Sequence, residues 1–263
     1  MGLRHKTGPE DDGRCNRVAH TRIAGFDTLR GFAVVSMVAF HLCYDLYYLR
    51  GLDIAWFEPP LRDIWRASIS WTFLLLAGCM CSRSRSNLKR AGKYLGVALV
   101  VWLATTCAAV DTPISYGIIY CMGASTLVAW ALGRAHALPR RPASSIAGAV
   151  MFATMFLCTL NVSTGKLGIG AAEIALPHEL YGSGMLDWLG FPSPDFASGD
   201  YYPPLPYTLL FLSGTCLGRL MAATRTPKML VSLRCRPLEW VGRHALPIYL
   251  LHQPLLVVAL GLV

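Results

Sequence analysis

The sequence predicts an all-α fold, a polytopic integral membrane bundle of about seven transmembrane helices, on three observations. Of its 263 residues, 54% are hydrophobic and the mean hydropathy is +0.44, above the roughly 45–50% apolar content of soluble domains. Apolar runs of membrane length, about 18 residues or more, recur seven times. Lys and Arg gather in alternate connections between those runs, as the positive-inside rule requires of a chain that crosses a bilayer repeatedly.

The runs occupy 26–49, 64–81, 92–110, 113–132, 143–160, 203–221 and 245–263. The first carries Asp27, Arg30, His41 and Asp45, and a charge near the centre of a membrane helix costs roughly 2.5–3.5 kcal/mol on insertion scales. At 100° per residue these four fall within one stripe about 60° wide, with Arg30 and His41 about 16 Å apart along the axis. One face of the first helix therefore lines something polar. The competing reading is that Asp27, Asp45 and Arg30 snorkel to the headgroups, which the deeper His41 cannot do as readily. In the second, third, fourth and sixth runs, Gly78, Gly96, Gly123, Gly214 and Gly218 are expected to let helices approach closely. The seventh contains His252 and Pro254, and proline leaves a backbone carbonyl without its donor. His252 is either a second polar wall or the partner of such a carbonyl.

The connection 161–202 is by far the longest. This long outer loop is rich in aromatic residues, among them Trp188, and is expected to form an ordered lid with a short interfacial helix around 185–189. Residues 1–21 read as a polar cytoplasmic tail and 22–263 as the membrane domain, with no cleavable signal peptide expected.

The formal charge of +9 suggests nucleic acid until its distribution is read. Nineteen of the 24 basic residues lie before the first run or between runs 2 and 3, 4 and 5, and 6 and 7. The opposite connections hold Arg50, Arg62, Arg66 and Lys166 beside nine acids that include Asp53, Asp111, Glu179 and Asp200. The charge is a topology signal: N-terminus cytoplasmic, C-terminus outside, no nucleic-acid partner. The cysteines lie largely in the apolar runs and form no disulfide framework, and Cys79-x-Cys81 has no companion cluster, so no metal is expected. Gly242-Arg243-His244 reads as the usual basic boundary or as a phosphate contact.

The stretch from Arg22 to Ala33, followed by Met37, His41 and Asp45, resembles the opening helix of the heparan-alpha-glucosaminide N-acetyltransferase catalytic domain family. So do Gly190 to Phe196, Asp200 to Pro206, Phe211 to Gly214 and Gly242 to Pro254. The Arg30–His41 spacing is also similar to the first-helix motif of membrane acyltransferases that decorate surface glycans. Tyr120 stands where many relatives have histidine. The resemblance implies a bacterial inner-membrane protein that transfers an acyl group, most simply acetyl from acetyl-CoA, to an extracytoplasmic sugar. It implies His41 as base oriented by Asp45, with Tyr120 and His252 in support, Arg30 and Arg243 toward the acyl-CoA, and Asp200 and Trp188 toward the acceptor. Two alternatives stay open: a transporter or proton relay, since Asp, Arg and His chains also mark ion pathways, and a catalytically inactive family member.

Overall fold

The computed structural model describes residues 23–108 and 112–261, and within them the chain is mostly helical. The tail 1–21 and Asp111 lie outside the described residues. Each of the seven apolar runs folds as a helix: α1 (Ala24–Tyr44), α2 (Leu61–Cys81), α3 (Asn87–Cys107), α4 (Ile118–Arg134), α5 (Pro142–Thr159), α6 (Pro204–Ala223) and, after two short helices, α9 (Ala245–Ala259). By length and composition three segments can each cross a membrane, Ala24–Leu49, Leu61–Cys81 and Pro142–Thr164, while α4 and α9 are shorter apolar helices. The expected count of seven spans is met for three of the runs; α3 and α6 are long enough but fall short in apolar composition, and α4 and α9 fall short in length.

Local sequence sets the boundaries. Ser86 caps α3 by accepting the Lys89 N–H at 3.4 Å, Pro142 occupies the first turn of α5 where its missing N–H is not needed, and α1 runs on into one π-helical turn, Asp45–Leu49. The fourth helix starts at Ile118, five residues later than its apolar run, because Tyr116 takes a positive φ of 57°. The basic connection before α9 folds into two elements that hydropathy does not reveal, α7 (Lys228–Ser232) and α8 (Arg236–Arg243).

The outer loop is ordered, but not as expected. Residues 185–190 form consecutive turns rather than an interfacial helix, since Gly184 (φ 67°) and Gly190 (φ 138°) bracket them with backbone that helices do not adopt. The same loop contains a two-stranded antiparallel ribbon, β1 (Lys166–Leu167) and β2 (Ile174–Ala175), paired Lys166 with Ala175 and Leu167 with Ile174.

Helices α2, α4, α5 and α6 share the main core, where Leu74, Cys121, Phe156 and Phe211 are fully buried. A Cβ on Gly78 would collide with the Phe211 carbonyl, on Gly214 with that of Leu75 and on Gly218 with that of Cys79, so α2 and α6 meet backbone against backbone. Gly96 has nothing within 4 Å, and the close approach expected there is not made. Against this frame α1 packs with α8 and α9. Gly31 lies against the backbone of Leu238, and Gly242 against that of Asp27, which fixes α8 beside the first two turns of α1.

Candidate functional site

Farther along α1, its polar stripe meets α9. The rings of His41 and His252 stand edge-on with centroids 4.8 Å apart. His252 is 8% exposed, and its Nδ1 lies 2.7 Å from the Tyr249 carbonyl oxygen. A carbonyl only accepts, so Nδ1 carries the proton, and in the neutral ring the lone pair is then on Nε2. That Nε2 is buried and has no hydrogen-bond partner among the described residues. One nitrogen serves a backbone carbonyl, though that of Tyr249 rather than the Leu250 carbonyl that Pro254 frees, and the other faces the interior.

Asp45 is 1% exposed. The Gln253 amide nitrogen donates across both its carboxylate oxygens, at 3.0 and 3.1 Å. The expected Asp45–His41 contact is replaced by this one. A buried carboxylate needs donors, and the amide projecting from the facing helix supplies them, leaving the Gln253 Oε1 buried without a partner among the described residues. His41, Asp45, His252 and Gln253 thus form one polar cluster across the α1–α9 contact.

At the end of the bundle where α1 begins, a cavity of about 610 Å³ is lined by Arg30, Arg83, Arg90, Lys93 and Arg243, with Asp27 as its one acid among the described residues. Arg30 bonds Asp27 at 3.2 Å and the Gly242 carbonyl at 3.3 Å, and it touches the Met80 sulfur. Arg90 reaches the Ala77 carbonyl at 3.1 Å and the Tyr94 hydroxyl at 3.3 Å. The expected pair Arg30 and Arg243 does share a wall here. Arg83, Arg90 and Lys93, read from sequence only as topology signals, complete it.

A second cavity, about 390 Å³, lies between α3, α4 and α9. Tyr120 and Tyr249 line it together with Leu95, Leu99, Trp102 and Tyr116. Tyr249 sits 5.7 Å from His252 between ring centroids, so this second tyrosine stands between the cavity and the histidine pair. The Tyr249 phenol interacts electrostatically with the Asp200 carboxyl. Asp200 also accepts the Ile118 N–H at 3.1 Å, placing a carboxylate at the N-terminus of α4 where the helix dipole favours it. Burial nevertheless pushes the Asp200 carboxyl above its ordinary value, partly offset by the Ile118 N–H and the Arg66 charge. Trp188 lies apart, 43% exposed among the turns of the outer loop, and no ring contact or hydrogen bond joins it to the histidine pair among the described residues.

Sequence reasoning missed Gln253 and Tyr249. Both lie inside the stretch around His252, one residue after it and one turn before it, where any residue facing α1 or the outer loop must be near whatever His252 touches.

A family model described as the catalytic region of heparan-alpha-glucosaminide N-acetyltransferase matches residues 22–254. No curated protein and no solved structure matches the chain.

Proposed function

The chain belongs to the heparan-alpha-glucosaminide N-acetyltransferase catalytic family, which implies a membrane transferase, and we propose that it moves an acetyl group from cytoplasmic acetyl-CoA to an extracytoplasmic glycan or amino sugar. The observation that carries this reading is the placement of the two polar sites on the same two elements. The pair His252 and His41 lies on α9 and α1, whose opposite ends contribute Arg30, Ala245 and Leu246 to the basic cavity.

The cavity fits a donor of this kind. Among the described residues, five cations against a single acid, itself bonded to Arg30, suit a ligand with several phosphates, and guanidinium forks match phosphate oxygens better than a point charge does. When bound, acetyl-CoA supplies a thioester whose carbonyl is open to attack. The protein's own part is proton handling. His252 Nε2 accepts the proton of the acceptor hydroxyl or amine as its lone pair attacks, and the proton leaves with the departing thiol as the carbon–sulfur bond breaks. Asp45, held by Gln253, faces the charge that develops on the imidazole. His41 closes the pair from the other helix, and Tyr120 supplies a hydroxyl at the α3–α4–α9 cavity in place of the family's histidine. The bilayer is the cytoplasmic membrane, with the basic cavity on the inner face.

The test is radiolabelled acetyl-CoA turnover by the purified protein in proteoliposomes, against a panel of surface sugars. Label appearing on an external sugar supports the proposal. Proton or solute flux dependent on His41 and His252, without acyl-CoA binding, would replace it with a transport function.

A further inference from the structure

The segment that joins α6 to α9 carries an unusual combination of side chains. Arg225, Lys228, Arg234, Arg236 and Arg243 are all exposed, and the segment's one acid, Glu239, lies 3.7 Å from Arg234. Among these cations stand three large apolar side chains that the fold leaves bare: Met229 (77% exposed), Val231 (55%) and Trp240 (56%). On α8 the two faces are distinct. Leu238 and Gly242 turn inward against α1, while Arg236, Trp240 and Arg243, at helical spacing, turn outward.

Depth is set by α1. Leu230 lies against Gly25 and Leu238 against Gly31, so α7 and α8 flank the first two turns of a 26-residue membrane segment. Such a segment is about 39 Å long against a hydrocarbon thickness of about 30 Å, which puts its first turn, and α7 beside it, at headgroup depth and α8 just beneath, at the acyl-chain boundary. A surface facing water alone would have no use for Met229 and Trp240. A surface facing hydrocarbon alone could not carry five cations. Tryptophan among arginines at this depth is the chemistry of an anionic lipid interface.

We propose that α7 and α8 form a binding surface for anionic phospholipid headgroups, with Lys228, Arg234 and Arg236 on the phosphates and Met229, Val231 and Trp240 seated at the acyl-chain boundary. The site is separate from the histidine pair and does not depend on what reaction the protein performs. It makes the α6–α9 connection a lipid-reading element as well as a topology signal.

The full-length protein in nanodiscs tests this by tryptophan quenching. Two matched sets of discs would carry bromines near the glycerol end of the acyl chains, on phosphatidylglycerol in one and on phosphatidylcholine in the other. Quenching should be greater for phosphatidylglycerol, the excess should vanish in Trp240→Phe, and it should fall by more than half at 0.5 M salt in the wild type. Lys228→Glu with Arg236→Glu should abolish the preference while leaving the helical circular dichroism unchanged. Equal quenching by the two lipids, or a preference that survives Trp240→Phe, would overturn the assignment. The salt dependence of the wild type keeps the test decisive should the double variant fail to fold.

Discussion

His41 and His252, 211 positions apart in the chain, present their rings to each other at 4.8 Å across the α1–α9 contact. His252 Nδ1 is committed to a backbone carbonyl at 2.7 Å and its Nε2 to nothing among the described residues. The pair is asymmetric, and the two substitutions are expected to behave differently.

Replacing His252 with alanine should lower single-turnover transfer about 10²–10⁴-fold, the usual cost of removing a positioned proton acceptor, while donor binding stays close to wild type. His41→Ala should cost less if it only shapes the environment of Nε2. Rapid-quench transfer alongside calorimetric donor binding separates the two. Loss of binding in His252→Ala would place that residue in the donor site instead.

Arg30 joins α1 to α8 through the Gly242 carbonyl while facing the basic cavity. Arg30→Ala should therefore weaken acyl-CoA binding and also lower stability by about 1–3 kcal/mol, the range for a buried group left without its partner. Arg243→Ala should weaken binding with little change in melting temperature, because Arg243 is exposed. Arg30→Lys should restore part of the affinity at most. Unchanged affinity in both alanine variants would remove the donor from this cavity.

Burial raises the Asp200 carboxyl above its ordinary value. For an acid the sign is fixed: the fold favours the protonated form, so its contribution to stability is full below the ordinary carboxylate pKa and is lost as pH rises through the raised value. Asp200→Asn, which keeps an acceptor for the Ile118 N–H, should flatten the melting-temperature profile across that window and match or exceed wild-type stability at pH 7. A variant steadily less stable than wild type as pH rises would have the sign reversed and would show that ionised Asp200 is the favoured state.

Gly214→Ala should destabilise the protein by about 1–3 kcal/mol or more, as overpacking does when no side chain can move aside. The added methyl meets the Leu75 backbone. Thermal unfolding in detergent measures it, and a change under about 0.5 kcal/mol would mean that the α2–α6 seam is looser than the structure has it.

Single cysteines at Arg85 and Ser193 should label from opposite sides of sealed vesicles, the first from the cytoplasmic side. The reverse pattern would invert the assignment of donor and acceptor sides built on the charge distribution.

The seven helical segments were legible because hydropathy is additive along a run and each run is long. The short helices α7 and α8 were not, since their apolar residues are too few to stand out among arginines and their placement depends on Gly31 and Gly242 meeting across 211 positions. The polar stripe of α1 was readable from angular spacing, and Asp27 and Asp45 are indeed buried. What α1 faces was not readable. The exchange of an Asp45–His41 contact for Asp45–Gln253 depends on the rotation of α9 about its own axis, which no local pattern encodes. The basic cavity was half visible: Arg30 and Arg243 could be named from their motifs, whereas Arg83, Arg90 and Lys93 carry the same sequence signature as any cytoplasmic boundary.

The backbone-to-backbone seam between α2 and α6 divides the molecule mechanically. With carbonyls seated against glycines at three successive levels, these helices have no compressible layer between them and behave as a single strut, to which α4 and α5 are joined through the common core. Helix α9 has no such seam and leans chiefly on α1 and α8. A movement that widens the cavity between α3 and α9 while keeping α9 on α1 would carry His41 and His252 together, altering what can reach them without altering the spacing between them.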